Sequence, residues 1–141
     1  MSNTNRQEIQ QRLNELFAEE VEAALRYLHL AATVKGLDRV TVRKTLLDGI
    51  AETLEHAQKI AEKVIQLGGT PKLKLNVELN DGLTTGADAI RTALAFEQAA
   101  LDGYKELLEM SGEDVALEEF VRAQIATESE HVSQLYLLLD S

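Results

Sequence analysis

Glu128-Ser129-Glu130-His131 sits inside the last long apolar-periodic segment of the chain, and its reading decides the rest. Residues three apart on a helix share a face. Glu128 and His131 therefore fall on the stripe Leu117, Val121, Glu128, His131, Leu135 and Leu138, not on the solvated side. A carboxylate and an imidazole at core positions are costly unless something compensates them. Inside a helix bundle, Glu-x-x-His spacing points to a metal ion as that compensation. The remaining ligands have to come from elsewhere in the chain.

Working outward, the spacing predicts four helices, over about 5–35, 39–67, 86–110 and 114–139. The first carries Ile9, Leu13, Leu16, Phe17, Ala24, Tyr27 and Ala31 at helical intervals; the second Leu46, Ile50, Ala57, Ile60 and Val64; the third Ile90, Ala93, Leu94, Leu101, Tyr104 and Leu108. Gly68-Gly69-Thr70-Pro71 is a strong helix stop. Asp38 is a plausible N-cap, and Thr85 with Asp88 resembles a capping box. Residues 70–84 lack helical period and read as an extended crossover, long enough to travel the height of a bundle about 40–45 Å tall. Short first and last links around one long B–C crossover predict an all-α, single-domain four-helix bundle over residues 1–141.

The two halves repeat. Glu20 to Tyr27 matches Glu97 to Tyr104, each Glu seven residues before its Tyr, and Thr53-x-x-His56 matches Glu128-x-x-His131. Glu20 and Glu97 each interrupt an apolar stripe. Two hairpins related by a pseudo-twofold axis would bring Glu20, His56, Glu97, Glu128 and His131 together, the di-iron carboxylate ligand set with one glutamate replaced by Thr53. A neutral hydroxyl is a weak ligand for iron or manganese. Glu52, four before His56, turns about 100° away from Thr53 and reads as a solvated surface acid, with ligation left open.

Composition narrows the partners. With 14 basic residues against 24 acidic ones the net charge is −10, and no Lys/Arg cluster offers a nucleic-acid surface. An acidic surface concentrates cations, although solubility alone explains such a charge. With no cysteine, thiolate zinc and iron–sulfur sites are excluded. No apolar run approaches membrane-spanning length, and Met1 to Gln11 lacks a signal core, so a soluble cytoplasmic protein is expected.

Leu13-Asn14-Glu15-Leu16 with Glu20 and Tyr27, then His56-Ala57, Gly68-Gly69-Thr70-Pro71, Glu97 and Glu128-x-x-His131, resemble the ferritin-like superfamily from about Asn5 to Asp140, bacterioferritins most closely. The resemblance implies that Glu20, His56, Glu97, Glu128 and His131 bind iron, as one or two ions, and oxidise Fe(II) with dioxygen or peroxide for storage in a homo-oligomeric shell. It implies no haem, because Leu54 stands where bacterioferritins place the haem-ligating methionine. The sequence ends at Ser141 without the family's short fifth helix, so a 24-subunit cage is not implied. Rubrerythrins share the Glu-x-x-His pattern but carry a thiolate iron domain, and the Dps branch places its ligands at a subunit interface.

Two alternatives stand beside iron oxidation: a structural or interaction bundle retaining a relic polar core satisfied by hydrogen bonds, and a rubrerythrin-like peroxide-reducing protein. Within an incomplete site, Glu97, Glu128 and His131 would form the stronger metal position, Glu20 and His56 the weaker. Tyr27 and Tyr104 read as core tyrosines with satisfied hydroxyls or as partners of the ligand carboxylates. His29 reads as exposed. Gly49 and Gly103 fall in helix interiors, where close helix approach or a widened pocket would explain them.

Overall fold

Helical periodicity is realised as four helices: α1 (Asn3–Thr33), α2 (Arg39–Gln66), α3 (Gly86–Met110) and α4 (Val115–Leu139). The computed structural model describes residues 3–139. The outermost ends of the expected 1–141 domain, including Asp140 and the Ser141 terminus on which the fifth-helix expectation rests, lie outside the described residues. α1 packs mainly on α2 and α3 on α4, so the bundle is two hairpins laid together.

Local chemistry sets the ends. Gly68, at φ +85°, takes the left-handed conformation that closes α2, and the Gly69 N–H returns to the Val64 carbonyl. Thr85 caps α3 by accepting from the Asp88 N–H at 3.2 Å, and Asp114 caps α4 by accepting from the Leu117 N–H at 3.0 Å. Asp38 occupies the N-cap of α2 without a side-chain cap hydrogen bond. The crossover runs extended along α1, held where Asn14 accepts from the Lys72 N–H and Glu22 from the Asn76 N–H, both at 2.8 Å. Lys72–Leu75, within that crossover, forms no strand. Instead, two-residue strands β1 (Val34–Lys35) and β2 (Thr84–Thr85) pair in parallel, which ends α1 two residues earlier than the spacing predicts.

The core is split into two apolar blocks. One holds Ile9, Leu13, Leu16, Ile60, Val64, Leu107, Leu117 and Val121; the other holds Leu30, Ala31, Leu46, Ala89, Ile90, Ala93, Leu94 and Leu135. Tyr104 belongs to the first block and Tyr27 to the second. Leu138, expected in the stripe, is exposed, and Leu139 packs on the core in its place. At about 100° per residue, Leu139 returns to within roughly 20° of Glu128, whereas Leu138 is turned roughly 80° away. His29 is half-buried, not exposed.

Close helix approach explains the mid-helix glycines. A methyl group at Gly103 would lie 2.7 Å from Leu16 Cδ2 and 3.0 Å from Arg12 Nη2; one at Gly49 would meet the Tyr27 ring at 3.3 Å. Gly103→Ala gains about 1 kcal/mol in helix propensity, but overpacking costs about 1–3 kcal/mol. Leu16 is fully buried, so its methyl can move only by displacing other core side chains. The variant is expected to melt a few degrees below the parent in chelator; an increase would mean that Leu16 has room to move.

Candidate metal centre

Between the two apolar blocks lies one buried polar layer, to which every helix contributes. Glu20 comes from α1, Thr53 and His56 from α2, Glu97 from α3, and Glu128 from α4, all buried, with His131 of α4 half-buried beside them. The structure brings all five candidate ligands together. Two groups have donor atoms within 4.8 Å of one another: Glu20, His56 and Glu128, and Glu97, Glu128 and His131. Each position has one glutamate and one histidine of its own, and Glu128 belongs to both.

Glu128 is 1% exposed and spans the centre. Its Oε1 lies 2.9 Å from His56 Nδ1, and its Oε2 lies 4.0 Å from His131 Nδ1. Neither His56 Nδ1 nor Glu128 Oε2 has a properly aligned hydrogen-bond partner, the short His56 contact included. Buried polar atoms are almost always satisfied, so orphans of this kind call for a ligand. Glu20 Oε2 is 4.0 Å from His56 Nδ1, and Glu97 Oε2 is 3.9 Å from His131 Nδ1. The two imidazoles stack at 5.7 Å, tilted by 14°.

The tyrosines close the layer crosswise. Tyr27 of α1 donates to Glu97 Oε1 of α3 at 2.5 Å, and Tyr104 of α3 donates to Glu20 Oε1 of α1 at 3.0 Å. Each hydroxyl leaves its apolar block to orient the carboxylate of the opposite hairpin, so both tyrosines are core residues and carboxylate partners at once. Burial first, then the facing carboxylates, pushes both phenols upward and keeps them donors.

Without a cation the layer is electrostatically strained. Burial, helped by the Glu97 charge, pushes Glu20 up to about 8. Burial and the neighbouring Glu97 push Glu128 up as well, while Glu97, against its own burial, is held down by His131, Glu128 and Tyr27 around it. Two buried carboxylates this close do not both ionise, which accounts for the opposite directions. Burial and the neighbouring His131 push His56 down; Glu97 beside it pulls His131 up, against burial.

A carboxylate raised on folding contributes stability that is fully present below its unfolded pKa and lost as pH rises through the folded one. Glu20 thus makes the metal-free protein lose stability between about pH 5 and 8, the opposite of what a salt-bridged carboxylate does. Melting in chelator across this window is expected to show a falling Tm, and saturating divalent metal should remove the fall because ligation needs the ionised carboxylates. A Tm that climbs with pH in chelator would contradict this.

Two openings reach the layer. A cleft of about 430 Å³ is lined by Tyr27, Asp48, Gly49, Glu52, Glu97 and His131, and a smaller recess by Glu19, Glu20, Glu22, Arg26 and Glu97. Glu52 is half-exposed, as its helical position predicts, yet its Oε2 comes within 2.9 Å of His131 Nε2. Helix geometry on α2 alone could not show that contact, because it depends on where α4 lies. Thr53 is buried at the place where the repeat calls for glutamate.

A family description, Ferritin-like domain, matches residues 10–141. The chain belongs to the ferritin-like family. Its fold is similar to a ferritin-like diiron-carboxylate protein from Bacillus anthracis str. Ames, with 29% identity, 99% of this chain and 100% of that one covered, and a TM-score of 0.86. It is also similar to the bacterioferritin-related dodecameric thioferritin of Bacteroides fragilis, with 24% identity, coverage of 93% and 83%, and a TM-score of 0.83. A Dps protein from Bacillus brevis shares 19% identity, coverage of 99% and 100%, and a TM-score of 0.88. No curated protein sequence matches. The Dps likeness shows the fold alone, and here the five candidate ligands lie within a single ferritin-like bundle. Among the described residues, no helix is long and apolar enough to cross a membrane.

Proposed function

We propose that this ferritin-like chain binds Fe(II) at the polar layer and oxidises it for storage in a homo-oligomeric, cytoplasmic assembly. The observation that carries the reading is Glu128, whose two oxygens face two histidines and one of which is orphaned. A di-iron-carboxylate relative at 29% identity over the whole chain supports the choice of iron; manganese suits the same oxygen and nitrogen donors. Two Fe(II) ions, one on each side of Glu128, would each give one electron to dioxygen, which takes up two protons and leaves as hydrogen peroxide; peroxide can serve as oxidant in turn. The carboxylates hold and charge-balance the metals, Tyr27 and Tyr104 fix their orientation, and the acid-lined recess and cleft admit the ions. The site is an incomplete version of the dinuclear pattern, because Thr53 removes the second bridging carboxylate.

Anaerobic Fe(II) titration followed by oxygen tests the reading. Saturable binding of between one and two ions per chain, then a rise in ferric near-ultraviolet absorbance, is expected. Fewer than one ion per chain, with no rise above the buffer rate, would sink it.

The hydrogen bonds from Tyr27 to Glu97 and from Tyr104 to Glu20 favour one other reading, a relic bundle whose polar core is held by hydrogen bonds without metal. That reading requires a Tm indifferent to added metal, and a rise abolished by His131→Ala would rule it out.

A further inference from the structure

Resting on the metal reading above, we infer that Glu52 is a positioning residue for His131. It holds the ring with Nδ1 turned to the Glu97–Glu128 position, and restores one shell further out the negative charge lost at Thr53.

The two ring nitrogens of His131 have different surroundings. Nε2 lies 2.9 Å from Glu52 Oε2, an N–H···O hydrogen-bond distance. Nδ1 lies 3.9 Å from Glu97 Oε2 and 4.0 Å from Glu128 Oε2, too far for hydrogen bonds. Donors about 2.0–2.2 Å from a common metal stand roughly 3–4 Å from one another, so these longer separations are those of co-ligands. Nε2 thus lies within donor reach of Glu52, and Nδ1 faces the two carboxylates at co-ligand distance. A carboxylate accepting from the distal N–H of a metal-bound histidine fixes the tautomer and makes the ring a more basic ligand.

The register explains why α2 can supply that carboxylate. The repeat expects the second bridge at position 53, where Thr53 is buried and neutral. Glu52 is one residue earlier, roughly 100° around the helix. That rotation takes it out of the buried layer to the mouth of the cleft, where it lines the wall with His131. Its head stays half-exposed at the cleft mouth, where water still solvates the carboxylate. The arrangement keeps a fourth carboxylate at the centre without burying it.

Zn(II), which is diamagnetic and takes the same nitrogen and oxygen donors, is the probe. Its affinity is read by chelator competition, and the His131 ring by histidine ¹⁵N–¹H correlation spectra. In the wild-type chain loaded with Zn(II), His131 is expected to ligate through Nδ1 with a slowly exchanging Nε2–H. Glu52→Ala should make that proton exchange rapidly and weaken Zn(II) binding about 10–100-fold. Glu52→Gln, whose amide oxygen still accepts, should keep the slow proton and lose less affinity. In a Thr53→Glu background, Glu52→Ala should cost less than about threefold, because the bridge then carries the charge. Ligation through Nε2, or an unchanged affinity and exchange rate in Glu52→Ala, would overturn the inference alone. A wild-type chain that binds no Zn(II) would overturn the metal reading and the inference with it.

Discussion

Glu128→Gln is expected to empty both metal positions while leaving the bundle folded. Gln keeps the shape of the side chain but offers a neutral amide, a poor ligand for iron. Because Glu128 belongs to both donor groups, its loss leaves each position with one glutamate and one histidine. Affinity should fall by more than the roughly 10–100-fold that losing an outer partner costs. In the parent chain, metal at about a hundred times its Kd adds about 2.7 kcal/mol, a rise of about 10 °C in Tm for a domain this size. That rise should vanish in the variant. In chelator the variant should melt at or above the parent, since it removes a buried carboxyl that burial already pushes far up. Retained stoichiometry would show that Glu128 is not the shared ligand.

Thr53→Glu is expected to act in opposite directions with and without metal. In chelator it adds a fourth buried carboxylate to Glu20, already pushed up to about 8, Glu97 and Glu128. It should cost on the order of 2–3 kcal/mol, the upper range for introducing an unpaired buried charge. With Fe(II) it restores a second bridge opposite Glu128. Binding should then reach two ions per chain, and oxidation should quicken at least about tenfold, equivalent to about 1.4 kcal/mol off the barrier. Calorimetry in chelator and stopped-flow oxidation read the two effects. A variant equally stable in chelator and no faster with iron would mean that position 53 does not face the metals.

The fold was legible because periodicity, stop signals and one long crossover all point to the same bundle. Gly68-Gly69-Thr70-Pro71 and the Thr85 cap act as their chemistry requires. Glu20 and Glu97 were legible as interruptions of apolar stripes, and the internal repeat paired them with His56 and His131. Sequence spacing ran out where the answer depends on two helices at once. The crosswise pairing of Tyr27 with Glu97 and Tyr104 with Glu20 is a tertiary fact, although the repeat marks both tyrosines. So is the reach of Glu52 to His131, which single-helix geometry places on the outer face. The distances from Glu128 to two histidines on different helices are likewise set by how the helices pack. Leu138 was misplaced for a local reason: ten residues past Glu128 it is turned roughly 80° from that direction, whereas an eleven-residue step nearly closes three turns.

Anomalous diffraction at the iron edge, from crystals equilibrated anaerobically with Fe(II), tests the central claim most directly. Two peaks flanking Glu128 are expected, one among Glu20, His56 and Glu128 and the other among Glu97, Glu128 and His131. Peaks confined to the acidic exterior, with the polar layer free of iron, would contradict it.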